Sequence, residues 1–397
     1  MASVVQANAE GHKISFQKSE NDKDSLSSVF IKRVDASNYE GKSWPDFRRT
    51  LMYLRTEILF YNMFIQDLKE RGFVSVPDIF LANYDLDGLI EEDDKATDQS
   101  GSEPVDWKTT LNDKGGYIVM ETIDSPYFQD SPIPLDQAKR SLAAVAGLHA
   151  AAWEDQELLK KADKWLSRGS YHLKTRNVKE LANIEQSWKD FSTNFQQFDP
   201  VLFERCNDIG TRIKNLAEYI SDEVSPGPND SYATLSHGDF KSMNCFLPPL
   251  VLEDQCSAND NTSTNTDRGV ILVDFASTGV GLGMSDVAMH IHHAVLPEDL
   301  ANGGEEILFD YYLEELNRML SKSGKSYPRN VALRHYRLAC ADYFRFLLGR
   351  FWKSATPETF EKRKNSPNTV LMNRNIDSAL AFLDRVERHV TEIEKER

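Results

Sequence analysis

The densest polar signal in the chain is His237-Gly238-Asp239, with Asn244 five residues after Asp239. Thirty residues beyond Asn244, Asp274 closes the apolar run Val270-Ile271-Leu272-Val273. A carboxylate at the end of such a buried-looking strand is costly unless it is paired or binds a metal. An Asp and an Asn brought together would offer oxygens to a hard divalent cation. Asp239 then remains a separate carboxylate, free to face a reacting hydroxyl. That division suits phosphoryl transfer, in which magnesium neutralises the phosphates and an Asp orients or deprotonates the nucleophile. A metal-dependent hydrolase using the same oxygens would need a second metal cluster or a water-activating pair, and the sequence offers neither.

The elements that must position these residues are legible from periodicity. Ser27 to Val34 alternates as a strand, and His12 to Gln17 is a candidate hairpin partner across a polar turn. Phe47 to Glu70 has a helical period, with Leu51, Leu54, Ile58 and Tyr61 on one face. A second strand begins near Pro77, and Gly115 to Ile123 reads as a third. Beyond it come helices: Leu135 to Gln156, Leu181 to Phe198, Leu202 to Glu223, and the chain from Asp286 onward. A short strand island around His237 and Asp274 interrupts them. The acidic run Glu91 to Asp106 and the polar insertion Ser257 to Arg268 read as loops. The order predicts an α+β chain of two lobes around one cleft, residues 1–123 and 124–397.

Composition narrows the partners. The chain has 397 residues with 46 Lys plus Arg against 62 Asp plus Glu, a net charge of -16, which argues against nucleic acid. Four cysteines without C-x-x-C spacing read as ordinary thiols. The sequence shows neither a signal-peptide pattern nor an apolar run long enough to span a bilayer, so a cytoplasmic protein with no membrane partner is expected. His290, His292 and His293 lack the i, i+4 spacing of helical metal ligands and read as structural. The glycines Gly279, Gly281 and Gly283 read as a flexible segment rather than a dinucleotide loop. Cys340 to Lys353 reads as a core helix, with Tyr343 and Phe346 inward and Arg345 and Arg350 outside.

HGDFKSMN and VILVDF resemble the catalytic and metal-binding motifs of the aminoglycoside phosphotransferase and choline kinase superfamily. The nearest resemblance is to its ecdysteroid-kinase-like branch, with the pattern HGDxWxxN and a later DFQ. It extends from about Lys32 to about Arg350 and implies a bilobal protein-kinase-like fold. It implies an ATP-dependent transfer of the γ-phosphoryl group to a hydroxyl of a small molecule, assisted by Mg²⁺. Lys32 resembles the strand lysine on the nucleotide phosphates, and Glu57 its helix partner. Met120, Glu121 and Ile123 resemble the hinge that holds the adenine. Asp239 resembles the catalytic base, and Asn244 and Asp274 the metal ligands. His237 would brace the loop, and Asp286 would support it and the following helix.

Two departures bear on activity. Only 31 residues precede Lys32, with one glycine, Gly11, so the amino end is expected to lack the first strand and the glycine-rich turn. Ala276 stands where the family pattern has Gln, and alanine offers no side-chain hydrogen bond. The alternative reading is therefore a weakly active or inactive kinase-like scaffold. Neither the acceptor nor the oligomeric state is determined by the sequence.

Overall fold

The computed structural model describes residues 2–6, 9–16, 28–91, 94, 103–167, 173, 179–250 and 269–397. The expected polar turn after Gln17, most of the acidic run and the Ser257 to Arg268 insertion lie outside them.

Five antiparallel strands form the amino-terminal sheet: β1 (Ala2–Gln6), β2 (Ala9–Ser15), β3 (Ser28–Asp35), β4 (Ile79–Asp85) and β5 (Gly115–Glu121), in the order β1-β2-β3-β5-β4. β1 corrects the expectation of a missing first strand: it pairs with β2 from Ala2 opposite Lys13 to Gln6 opposite Ala9. A five-residue strand fits before β2 because only Ala7 and Asn8 separate the two, so no long turn consumes sequence. In β5 the alternation is plain, with Ile118 and Met120 buried and Tyr117 exposed.

The sheet packs on α1 (Trp44–Met63), whose Leu51, Leu54, Ile58 and Tyr61 are buried as the period requires. The predicted single helix to Glu70 breaks at Phe64, where φ is -120°, and resumes as α2 (Ile65–Glu70). Phe64 is completely buried, and hydrogen bonds from its N–H to the Phe60 carbonyl and from Leu68 N–H to its own carbonyl carry the chain from one helix into the next.

The rest is helical apart from short ladders. In order come α3 (Leu135–Ala152), α4 (Gln156–Trp165), α5 (Lys179–Ala182), α6 (Ile184–Phe195), α7 (Pro200–Arg205) and α8 (Ile209–Glu223). The strand island forms β6 (Thr234–Ser236), β7 (Cys245–Phe246), β8 (Ile271–Leu272) and β9 (Gly279–Gly281). Then follow α9 (Gly283–Ala294), α10 (Pro297–Leu300), α11 (Gly304–Leu320), α12 (Arg329–Arg350), α13 (Pro357–Arg363) and α14 (Ile376–Glu396). α9 is buried on every side, and α3, α11 and α12 pack against it. Gly279 and Gly281 are not a flexible segment: they lie in β9, paired with β6 and fully enclosed, where a side chain at Gly281 would press on Ser236. Arg345 is also buried, against expectation, because Asp342 one turn away pairs with it at 2.8 Å inside the core. Among the described residues, no helix is long and apolar enough to cross a membrane.

Three histidines are held neutral by this packing. His290 and His293 on α9 and His389 on α14 are each pushed down to about 3, mainly by burial. An unfolded chain protonates them near pH 6.5, so the unfolded state takes up protons the folded state refuses. Their contribution favours the folded state fully above pH 6.5 and is lost on acidification toward pH 3. At pH 5 each costs about 2 kcal/mol. The melting temperature is therefore expected to fall steadily between pH 7 and pH 5; a flat profile over that range would contradict the assignment of neutral buried imidazoles.

Candidate functional site

β3 carries Lys32 toward α1, and its ammonium reaches Glu57 Oε2 at 2.7 Å and Asp274 Oδ1 at 2.8 Å. Residues 242 positions apart in sequence thus share one ion pair. Burial pushes the Glu57 carboxyl up to about 7, against the pull of Lys32, whereas Asp274 is drawn down to about 2 by Lys32 and Lys241 although burial opposes it. One ammonium shared by two carboxylates explains the split, since the more exposed Asp274 keeps its charge more easily than the buried Glu57. The two carboxylates hold Lys32 above the usual lysine range despite its burial.

Asp274 follows β8 in a left-handed conformation, φ 67° and ψ 58°, which Asp tolerates better than branched residues. The turn is secured by Phe275, fully buried and stacked on Phe60 of α1 with ring centroids 4.3 Å apart. His237 also packs on Phe275, with ring centroids 4.7 Å apart. Burying a phenylalanine contributes about 1.5–3 kcal/mol, so one side chain fixes the helix of Glu57 against the loop of Asp274.

β6 delivers His237-Gly238-Asp239. His237 Nε2 donates to the Val273 carbonyl at 3.0 Å, and its Nδ1 lies 3.4 Å from the Asp239 N–H. Gly238 has φ +79°, and a Cβ there would come within 2.2 Å of the Ser277 carbonyl oxygen, so glycine is required twice over. Below the loop, Asp286 is fully buried and accepts from the N–H groups of His237 at 2.6 Å and Gly238 at 2.9 Å. It also lies 3.0 Å from His149 Nε2, whose Nδ1 meets the Tyr312 hydroxyl at 2.8 Å. Gly283 lets α9 approach this pair, since a Cβ would meet the Tyr312 oxygen at 2.5 Å.

Asn244 is brought beside Asp274 by the β7–β8 ladder, through its own carbonyl accepting from Val273 N–H at 3.0 Å. Its amide donates to the Asp239 carbonyl at 2.8 Å and to Asp239 Oδ2 at 3.3 Å. The same Oδ2 accepts from Lys241 at 2.9 Å. Burial would raise the Asp239 carboxyl, but the Lys241 charge wins and holds it below the usual range.

Of the residues singled out in the sequence, Lys32, Glu57, Asp239, Asn244 and Asp274 converge. Met120 is buried at the end of β5, opposite Phe30 and Ile79, and Ile123 lies just beyond the strand. Glu121 has its N–H committed to the Asp78 carbonyl at 2.8 Å, and its carboxylate accepts from the Asp78 N–H at 3.0 Å. Cys245 is inert, with burial pushing its thiol up to about 12. Sequence reasoning missed Lys241, Phe275 and Tyr312. A basic residue two positions after the candidate base was the available signal for the first. The other two needed the fold.

Residues 94–325, more than half of the chain, match the ecdysteroid kinase-like family. The chain belongs to that family. Lys32 and Glu57 precede the matched segment. No curated protein matches the sequence. Among solved structures, a microcompartment-associated aminopropanol kinase is similar at 14% identity and a TM-score of 0.49, covering 98% of this chain and 94% of its own. An aminoglycoside phosphotransferase from Alicyclobacillus acidocaldarius follows at 11% identity and 0.48, covering 100% and 92%. A choline kinase from Cryptosporidium parvum shows 10% identity and 0.41, covering 100% and 88%.

Proposed function

We propose that this ecdysteroid kinase-like chain is a small-molecule kinase that moves the γ-phosphoryl group of ATP to an alcohol. The observation that carries the reading is the convergence of Lys32, Glu57 and Asp274 in one ion-paired cluster. Such a cluster in the interior is a poor stability device, because desolvation offsets most of the attraction. It is a good receptor for phosphates, which can take over the ammonium of Lys32.

On this reading residues 1–123 hold the nucleotide and residues 124–397 hold the acceptor. The adenine lies along Met120, Glu121 and Ile123. Lys32, oriented by Glu57, binds the phosphates. Asp239 orients the acceptor hydroxyl and receives its proton as the bond to phosphorus forms. The loose transition state of phosphoryl transfer asks mainly for positioning and charge stabilisation, so a weakly basic carboxylate suffices. The donor set suits a hard cation: Asp274 and the Asn244 side-chain oxygen offer two ligands, and Mg²⁺ is usually held by one or two carboxylates plus phosphates. When bound there, Mg²⁺ would neutralise charge on the transferred group. The Asp286–His149–Tyr312 chain holds the loop of Asp239 rigid from below.

Titration of the protein with ATP in the presence of Mg²⁺ is expected to show saturable binding. Lys32→Ala should weaken it about 10–100-fold, the worth of a charge-assisted contact. Absence of binding both with and without Mg²⁺ would sink the reading. A panel of metabolite alcohols, followed by ADP release, would then find the acceptor.

A further inference from the structure

A cavity of about 510 Å³ opens between α11, α12 and α14, and none of its lining residues belongs to the cluster around Asp239. We infer that this cavity is a binding site for a small organic anion with an apolar or aromatic body, held by Arg385 and His389. The inference stands apart from the phosphotransferase reading.

The cavity has the size and the rigidity of a ligand site. Pockets for small molecules usually span about 300–1,000 Å³. Its apolar wall is formed by Phe309 of α11 with Leu333 and Tyr336 of α12. Phe309 and Tyr336 are buried and meet edge to face, with ring centroids 5.4 Å apart. The Tyr336 hydroxyl donates to Glu305 Oε1 at 2.7 Å, and Glu305 also pairs with Arg385. The Tyr336 ring meets His389 edge-on, 6.0 Å between centroids. Both anchoring side chains are thus set by contacts to the same wall.

The polar groups decide the sign of the ligand. The acids of the wall are committed or exposed. Glu305 is taken up by Tyr336 and Arg385. Glu387 faces Arg205 at 3.6 Å and Arg212 at 3.5 Å, and Glu392 accepts from Lys395 at 2.8 Å. Glu306 is exposed. On the donor side, Arg385 Nε and His389 Nε2 are buried without a hydrogen-bond partner. Buried polar atoms left unpaired are rare in folded proteins. A guanidinium only donates, so the partner that Arg385 lacks is an acceptor, and a neutral imidazole protonated on Nε2 makes the same demand. The field agrees with this. Burial first, then the charges of Arg385, Arg337 and Arg388, push the His389 imidazole down to about 3, so every charge felt there is positive. Arg385 is lowered to about 10 by burial and by Arg388. A negative group placed among these cations would relieve both. In a chain of net charge -16, such a locally positive cavity selects anions against the overall field. The guanidinium fork suits a carboxylate, sulfonate or phosphate group. An inorganic anion alone would leave Phe309, Leu333 and Tyr336 without a partner, which is why the ligand is organic.

The test titrates the full chain with 1-anilinonaphthalene-8-sulfonate, an aromatic body with one anionic group, and with the neutral N-phenyl-1-naphthylamine as control. One sulfonate probe is expected per chain, bound at least about 10-fold more tightly than the neutral one and not displaced by excess Mg-ATP. Arg385→Gln should weaken the sulfonate about 10–100-fold, the worth of a charge-assisted contact, and leave the neutral probe unchanged. Should a thermal melt show that this variant is unfolded, Leu333→Trp serves, since it fills the cavity without touching an ion pair; it should abolish binding of the sulfonate. Equal affinity for the two probes, displacement by Mg-ATP, or sulfonate binding unaltered in a folded variant would overturn the assignment. Each of those results leaves the kinase reading intact, because that reading is tested by ATP binding itself.

Discussion

Asp239→Asn is expected to lower phosphoryl transfer from Mg-ATP by about 10²–10⁴-fold, the usual contribution of a positioned proton acceptor. The substitution is nearly isosteric. Asn still accepts a hydrogen bond from Lys241, which now holds Asp239 Oδ2 at 2.9 Å, so the loop should keep its shape. What disappears is the negative charge and the capacity to take the hydroxyl proton. Nucleotide affinity should change little or improve, because a carboxylate facing the terminal phosphoryl group has been neutralised. The measurement is ADP release with a found acceptor, or slow release of phosphate to water before one is known, beside a thermal melt. A variant that keeps more than half of the wild-type rate would remove Asp239 from the mechanism.

The second large effect falls on stability. Asp286→Ala should destabilise the protein by about 3–5 kcal/mol, because it strands three buried donors at once. The N–H groups of His237 and Gly238 and the His149 imidazole all point at this fully buried carboxylate. For a chain of this length the loss corresponds to roughly 5 °C in melting temperature. Transfer activity should fall as well, since the peptide groups that Asp286 holds lead directly into Asp239. Asp286→Asn is expected to be intermediate: it keeps one acceptor oxygen but sets an amide N–H₂ against an N–H donor. A melting temperature within about a degree of wild type for the alanine variant would show that the loop does not depend on this hub.

Both expectations began as readings of short local motifs, and the parts that were legible share one cause. His237-Gly238-Asp239 with Asn244 occupies a single tight loop, so their meeting follows from spacing along the chain. Asp274 announced itself because an acid at the end of an apolar run needs a partner. Strands and helices with clean periods, such as β5 and the buried face of α1, were equally readable.

What sequence could not supply is whatever depends on two segments meeting. The break of the first helix at Phe64 was invisible because the helical pattern continues through it. β1 was missed because a short strand gains its stability from the neighbour it pairs with. Arg345 was placed outside on composition, yet Asp342 allows it to be buried. Phe275 carried no signal of its own in the sequence, and only the fold brings it into contact with both Phe60 and His237. By itself the sequence singled out groups that could do chemistry, the carboxylates of Asp239 and Asp274 and the amide of Asn244, and the family resemblance added the ammonium of Lys32. The tertiary structure decided how they are paired, with Lys32 shared between Glu57 and Asp274 and Lys241 drawn onto Asp239. The reason is that charge pairing acts over a few ångströms in space, whereas the sequence orders residues only along the chain.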